Sequence, residues 1–264
     1  MRAVAATLEK QAALLHRRAI ARQIAASLEP GTKDGLLRAA LLLARLDNPE
    51  VDVEAYLEEI ERMAGEIAST LPEEATNDRK IGAVRTYLFH DNGFHGSRLD
   101  YYSRANSYLN EVIDDREGIP ITLSLLVVEL GRRVGAELHG LGLPGHFVAC
   151  YQEGDQRRII DPFEGGAPMK LEDANALLAA AGFRETAAEF STATPRDIIR
   201  RMLNNLKAIA IEEKDFQGAI GYVDVLLTLD PGNPQERLGR ALLHLQLGEG
   251  NRAKPDLEWL LEHK

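Results

Sequence analysis

Residues 121–134 are apolar on nearly every side of a helical wheel (Leu123, Leu125, Leu126, Val127, Val128, Leu130). Such a helix belongs at the centre of a domain, not on its surface. Strands follow it at residues 137–143, 145–152 and 157–163. The last two are joined by Glu153-Gly154-Asp155-Gln156, a hairpin turn signal. Residues 171–181 read as a short helix ended by Gly182. The whole predicts an α+β core.

The hairpin has a chemical consequence. If Gln152 pairs with Arg157, Val148 stands opposite Asp161 and His146 lies diagonal to Asp161 on the same face, because strand side chains alternate with a period of two. Diagonal neighbours are roughly 7–8 Å apart, within reach of an imidazole–carboxylate hydrogen bond. That bond would fix the imidazole tautomer, as an orienting acid does in a catalytic apparatus. A one-residue slip would put the two on opposite faces. Cys150 shares the face but stands four residues from His146, about 13 Å along a strand. It reads as a small buried apolar side chain.

The flanks are helical. Ala5, Leu8, Ala12, Leu15 and Ala19 keep 3–4 spacing, as do Leu37, Ala40, Leu41 and Ala44, and Tyr56, Ile60, Met63 and Ile67. Breaks fall at Pro30-Gly31 and Asp47-Asn48-Pro49. Three regions are expected: helices over 1–75 packing on the next segment, a mixed core over 76–190, and helices over 191–264. In the last region, aligning Ala219 with Ala253 superposes Leu226 on Leu260 and Ile209 on Leu243, an offset of the ~34 residues of a tetratricopeptide unit. A plain helical hairpin is the alternative. Arrays usually need three units, so these helices are expected to lean on a neighbour for burial.

Of 264 residues, 31 are basic and 41 acidic, a net charge of −10. An acidic chain repels phosphate backbones, so neither nucleic acid nor an anionic membrane is an expected partner. The N-terminal stretch is broken by Glu9, Lys10 and Gln11 and has no signal-peptide h-region. No run approaches membrane-spanning length. The one cysteine permits neither an internal disulfide nor a thiolate zinc cluster. A cytoplasmic, bacterial-type protein without cofactor is expected, its oligomeric state open.

The strings YLFHDNGFHG, NSYLNEVIDDREGIPITLSLL, GLPGHFV and IIDPFEGG resemble the transglutaminase-like superfamily, of papain-like fold. The combination is similar in particular to its SirB-one family, in which such a core precedes tetratricopeptide helices. ARLDNPEVDVEAYLEEIERMA extends the likeness into the N-terminal region. The resemblance implies a Cys at the start of a buried helix, with a His and an Asp on adjacent strands. His146 and Asp161 match the latter two. The Cys position falls near Pro120 or Ile121, neither of which can be a nucleophile. The chain also has Ser103-Arg104-Ala105 where the family tends toward Asp-Pro.

Thr122 and Ser124, in the first turn of the helix, could replace the missing thiol, since a helix N-terminus stabilises developing negative charge. Hydroxyls there otherwise cap backbone N–H groups. Asn106, Asn110 and Arg116 either hold the preceding loop or line a cleft. Tyr101 and Tyr102 read as buried anchors of their loop, with Tyr102 also a candidate cleft residue. His90, His95 and Asp91 have no recognisable metal-site spacing, and no phosphate-binding glycine motif occurs. Two functions follow. One is a pseudoenzyme that binds a protein or peptide through its cleft and tetratricopeptide face. The other is a hydrolase or acyltransferase of amide bonds using His146 and Asp161 with Thr122, Ser124 or water.

Overall fold

The computed structural model describes residues 2–263, with side chains described for Leu8 and from residue 11 onward. In chain order the regular elements begin with α1 (Arg2–Ser27), α2 (Gly35–Ala44), α3 (Val53–Ser69) and α4 (Asn77–Arg85). They continue through β1 (His95–Gly96), α5 (Leu109–Asp115), β2 (Glu117–Gly118) and α6 (Pro120–Arg133). The strands β3 (His139–Leu143), β4 (His146–Glu153), β5 (Gln156–Asp161) and β6 (Ala167–Met169) follow. Helices close the chain: α7 (Leu171–Ala180), α8 (Pro195–Glu212), α9 (Phe216–Leu229), α10 (Pro234–Gln246) and α11 (Gly250–Glu262). The fold is thus a mixture of helix and sheet. Among the described residues no helix is long and apolar enough to cross a membrane. Contacts divide the chain into one compact unit at residues 52–198 and another formed by residues 1–51 with 199–264.

In the 52–198 unit the centre is α6. Pro120 stands at its first position with Ile119 extended before it, where a missing N–H costs nothing. Its end is a Schellman motif. The Gly135 N–H donates to the Arg132 carbonyl and the Ala136 N–H to that of Gly131, with Gly135 at φ +73°. Arg132 and Arg133 complement the dipole in the last turn. Leu123, Leu125, Leu126, Val127 and Leu130 are each at most 1% exposed. Burying each such side chain contributes about 1.5–3 kcal/mol, which holds the helix inside. α3 and α4 pack against it, and α3 begins on Asp52, whose carboxylate accepts the Glu54 and Ala55 N–H groups.

The sheet order is β3-β4-β5-β6, antiparallel throughout. Glu153 pairs with Gln156 across the predicted turn, and Gly154 supplies the positive φ that a two-residue loop needs. Gln152 pairs with Arg157. β6, which the sequence analysis did not predict, carries Pro168, and the proline fits because β6 is an edge strand. β1 and β2 form a separate parallel pair. One face of the large sheet carries Leu141, Leu143, Val148, Cys150 and Ile159, closed over by Ala174 and Leu178 of α7.

In the other unit α1 lies beside α2 and α9. The Arg17 guanidinium donates to the Gln217 carbonyl at 3.0 Å, and the Tyr222 hydroxyl to Asp47 at 2.5 Å. Ala219 and Ala253 are both fully buried and Ile209 and Leu243 are each 7% exposed, so the two copies match at these positions, whereas Leu226 is buried and Leu260 only partly so. The apolar stripe read on α1 does not form its buried face. Leu8 is 65% and Leu15 64% exposed, while Ile20, Ala21 and Ile24 are buried; Ala5 lies outside the described side chains. The reason is the face presented: His16 bonds the Arg45 carbonyl and Arg17 the Leu46 and Gln217 carbonyls, so α1 turns the side that carries Arg17, Ile20, Ala21 and Ile24 toward its neighbours and leaves Leu15 and Ala19 in solvent at the same level.

Candidate functional site

β4 begins on His146 and β5 ends on Asp161. The register continues past Cys150 opposite Ile159, so Val148 faces Asp161 and His146 is its diagonal neighbour. His146 Nε2 lies 2.6 Å from Asp161 Oδ2. Asp161 Oδ1 accepts the Phe163 N–H at 3.0 Å, capping the turn at Pro162–Glu164. Both carboxylate oxygens are therefore engaged. The carboxylate makes Nε2 the protonated nitrogen and turns Nδ1 to face elsewhere. The Asp161 side chain is 8% exposed and that of His146 19%, so the imidazole remains reachable from solvent.

Aromatic rings frame the pair. Phe163 meets His146 edge-on at 6.4 Å and Tyr101 at 6.0 Å, and the Arg98 guanidinium sits 5.6 Å above the Phe163 ring. Arg98 also bonds Glu164 at 2.5 Å. Gly96 makes this packing possible: a Cβ there would stand 2.6 Å from the Phe163 carbonyl oxygen. Sequence reading missed Arg98 and Phe163. The pair His146/Asp161 points to Phe163, two residues beyond Asp161, but nothing local marks Arg98.

The start of α6 holds no free nucleophile. Pro120 and Ile121 are buried. The Thr122 hydroxyl accepts the Ile119 N–H at 3.1 Å, and its single proton is shared between the Asn106 and Ile119 carbonyls, each at 3.0 Å. The Ser124 hydroxyl donates to the Phe147 carbonyl at 3.1 Å, clamping α6 to β4 one residue from His146. Both hydroxyls are fully buried. Asn106 donates to the Asp100 carbonyl at 2.6 Å, and Asn110 to Glu111 at 2.9 Å. Arg116 ends α5 in a left-handed conformation and donates to the Asn92 carbonyl at 3.0 Å. Asn106 and Arg116 thereby brace the loops around β1, β2 and α5, whereas Asn110 lies buried within α5 and donates to the next residue of its own helix.

Tyr102 is 68% exposed and Tyr101 37%, so neither is the buried anchor expected; the Tyr101 ring meets Phe163 edge-on, and Tyr102 meets Tyr101 edge-on at 5.3 Å. Among the described residues no group of three or more His, Cys, Asp or Glu side chains could hold a metal.

Cys150 is 1% exposed in the sheet core, opposite Ile159. Burial pushes its thiol up to about 11, only partly countered by Arg157. The folded state therefore binds the proton more tightly than the unfolded chain. The Cys150 contribution is intact below the ordinary thiol range and is lost as pH climbs to 11, on the order of 2–3 kcal/mol. Urea midpoints are expected to fall between pH 9 and 11 by more in the wild type than in Cys150→Ala, and a disulfide reagent at pH 8 is expected to label Cys150 only after unfolding.

Comparison with known proteins identifies the family. Residues 54–204 match the model of the transglutaminase-like superfamily, and residues 206–264 match a tetratricopeptide repeat model. A "UPF0162 protein" of Xylella fastidiosa is 32% identical over 86% of this chain and 83% of its own length. One of Vibrio cholerae is 28% identical over 86% of each. Human "F-box only protein 21" is 28% identical over 70% of this chain but only 31% of its own length. No solved structure matches the chain. The two matched ranges fall on the mixed helix-and-sheet core and on the helices that follow it in the chain, and the chain belongs to the transglutaminase-like superfamily, as a UPF0162-type protein whose core is followed by tetratricopeptide helices.

Proposed function

We propose that this protein is a non-catalytic binding or scaffold protein that engages a peptide or protein partner. One observation supports this most: the hydroxyls of Thr122 and Ser124 are spent on backbone carbonyls at 3.0–3.1 Å, while Pro120 and Ile121 begin the helix where the family resemblance implies a Cys. An imidazole–carboxylate pair needs a nucleophile within about 3 Å of the base to begin covalent chemistry. The lone thiol is protonated at neutral pH and sealed in the sheet core. What lies open near the pair is a recognition surface. Tyr102 and Arg98 are 68% and 63% exposed, and Tyr and Arg are the residue types that dominate binding hot spots. The tetratricopeptide helices add a second surface of a kind that commonly receives extended segments.

A second reading is favoured by the His146–Asp161 contact itself, whose 2.6 Å bond and partly exposed imidazole suit a base that activates water for amide hydrolysis or acyl transfer. The two readings separate in one experiment. Wild type, His146→Ala and Arg98→Glu/Tyr102→Ala are each incubated with a glutamine-containing peptide pool and an amine donor, and ammonia and new amines are measured. The same proteins are immobilised and exposed to a cell extract. The expected result is no turnover above the His146→Ala background, with partner capture retained by His146→Ala and reduced about tenfold by Arg98→Glu/Tyr102→Ala. Turnover that disappears in His146→Ala overturns the binding reading.

A further inference from the structure

The outer edge of β5 is only half covered. β6 pairs with Ile159, Ile160 and Asp161, so Gln156, Arg157 and Arg158 have a strand partner on the β4 side alone. That open stretch forms one wall of a cavity of about 730 Å³, a volume within the range of ligand sites. Tyr151, Lys170, Glu172 and Arg85, the last residue of α4, also line it. None of its lining residues belongs to the His146 site. Tyr151, the nearest of them along β4, stands about 16 Å from His146 at the rise of a strand.

Ion pairing leaves the cavity positive. Arg158 is taken by Glu153 at 2.5 Å. Arg157 donates to the Ala187 and Phe190 carbonyls at 2.8 and 2.5 Å, neutral partners that leave its charge unbalanced. Arg85 Nε is buried without a hydrogen-bond partner, and no carboxylate among the described residues forms an ion pair with the guanidinium. The Arg85 side chain is held in place: Nε and the Phe89 ring pack over Gly166, where a Cβ would stand 3.0 and 2.9 Å from them. Lys170, exposed at the start of α7, has no ion-pair partner among the described residues either. Arg85, Arg157 and Lys170 thus stand against Asp155, at the hairpin tip, and Glu172, on a chain whose net charge is −10.

An open strand edge offers N–H donors and C=O acceptors in alternation. A phosphate only accepts and would leave the carbonyls unmet, whereas a peptide main chain supplies both. We propose that this cavity receives an extended acidic peptide segment of a partner protein, which adds as a short strand beside residues 156–158 and sets its carboxylates against Arg85 and Lys170. Main-chain hydrogen bonds hold the segment, and the cations select its charge. That the partner is a protein rests on the binding reading above; the surface is a different one from that of Arg98 and Tyr102.

The test is fluorescence anisotropy with a short labelled peptide of alternating Thr and Glu, its ends blocked. The wild type is expected to bind it, and to bind the matching Thr–Lys peptide about tenfold more weakly or worse. Arg85→Gln/Lys170→Gln is expected to weaken the Thr–Glu complex by about tenfold or more, as the loss of charge-assisted hydrogen bonds requires. If circular dichroism shows that variant misfolded, Lys170→Glu, at an exposed position, replaces it with the same expected factor, since it reverses a charge. A Thr–Glu peptide N-methylated along its length keeps the carboxylates but loses its main-chain donors, and is expected to bind about tenfold more weakly as well. Arg98→Glu/Tyr102→Ala is expected to bind the Thr–Glu peptide as the wild type does, so failure at this cavity and failure of the surface near His146 are read separately. A wild type without preference for Thr–Glu over Thr–Lys overturns the proposal. So does binding that the substitutions leave unchanged. Equal binding of the N-methylated peptide, displaced by inorganic phosphate, would mark a bare anion site and overturn strand addition.

Discussion

Arg133→Met is expected to cost the 52–198 unit about 3 kcal/mol or more, within the 3–5 kcal/mol range for breaking a buried ion pair. Arg133 and Glu129 are each 6% exposed, joined at 2.7 Å in the last turns of α6, and Arg133 Nε also binds Glu61 of α3 at 2.8 Å. Removing the guanidinium leaves Glu129 buried with only Arg132, which is 54% exposed and 3.1 Å away. That surviving partner keeps the loss toward the lower end. Such a loss lowers the melting temperature by roughly 6–12 °C in a unit of this size. The double variant Glu129→Leu/Arg133→Leu removes the charge and its desolvation together. It is expected to lie within about 1 kcal/mol of wild type, because apolar replacements of buried pairs are often neutral or stabilising. Urea unfolding of the two variants side by side checks both values. A single variant as stable as the double would mean that Glu129 finds water or another cation, and would remove this pair from the account of how α3 holds α6.

Leu126→Ala should lose a similar amount for a different reason. Leu126 is fully buried at the middle of α6, a helix that packs against α3, α4 and β4. Truncation forfeits the transfer free energy and leaves a cavity, together about 2.7–5 kcal/mol. Leu8→Ala deletes the same atoms from a residue 65% exposed and is expected to change stability by no more than about 0.5 kcal/mol. The contrast isolates burial from residue type. Calorimetry with both variants decides it, and equal effects would refute the placement of α6 at the centre.

Much of the core was legible because its signals are local. The apolar wheel over residues 121–134, the Glu153–Gln156 turn and the alternation from His146 to Cys150 each dictate a geometry within a few residues. Together they fix the register that brings His146 to Asp161. The signal failed where burial depends on which element arrives as neighbour. Leu8, Ala12, Leu15 and Ala19 make an apolar stripe, yet α1 buries a different face, through Ile20, Ala21 and Ile24. Tyr101 and Tyr102 look like anchors in sequence, but Phe163, distant in the chain, takes that role against His146. Glu129 interrupts an apolar helix and reads as an exception until Arg133 and Glu61 are seen to neutralise it.

The sequence by itself determined that a helix over residues 121–134 would be buried and, with Gln152 paired to Arg157, that an imidazole and a carboxylate would share one sheet face. Both follow from residue type and period, whereas the Cys expected at the helix start came from the family resemblance, with Thr122 and Ser124 as alternatives to it. Only the tertiary structure decided that the hydroxyls of Thr122 and Ser124 are committed to carbonyls of Asn106, Ile119 and Phe147, and that α1 and α2 join α9 in one unit while α3 joins α6 in the other. Hydroxyl rotamers and helix partners are set by groups far apart in the chain, and no local pattern carries the distance between them.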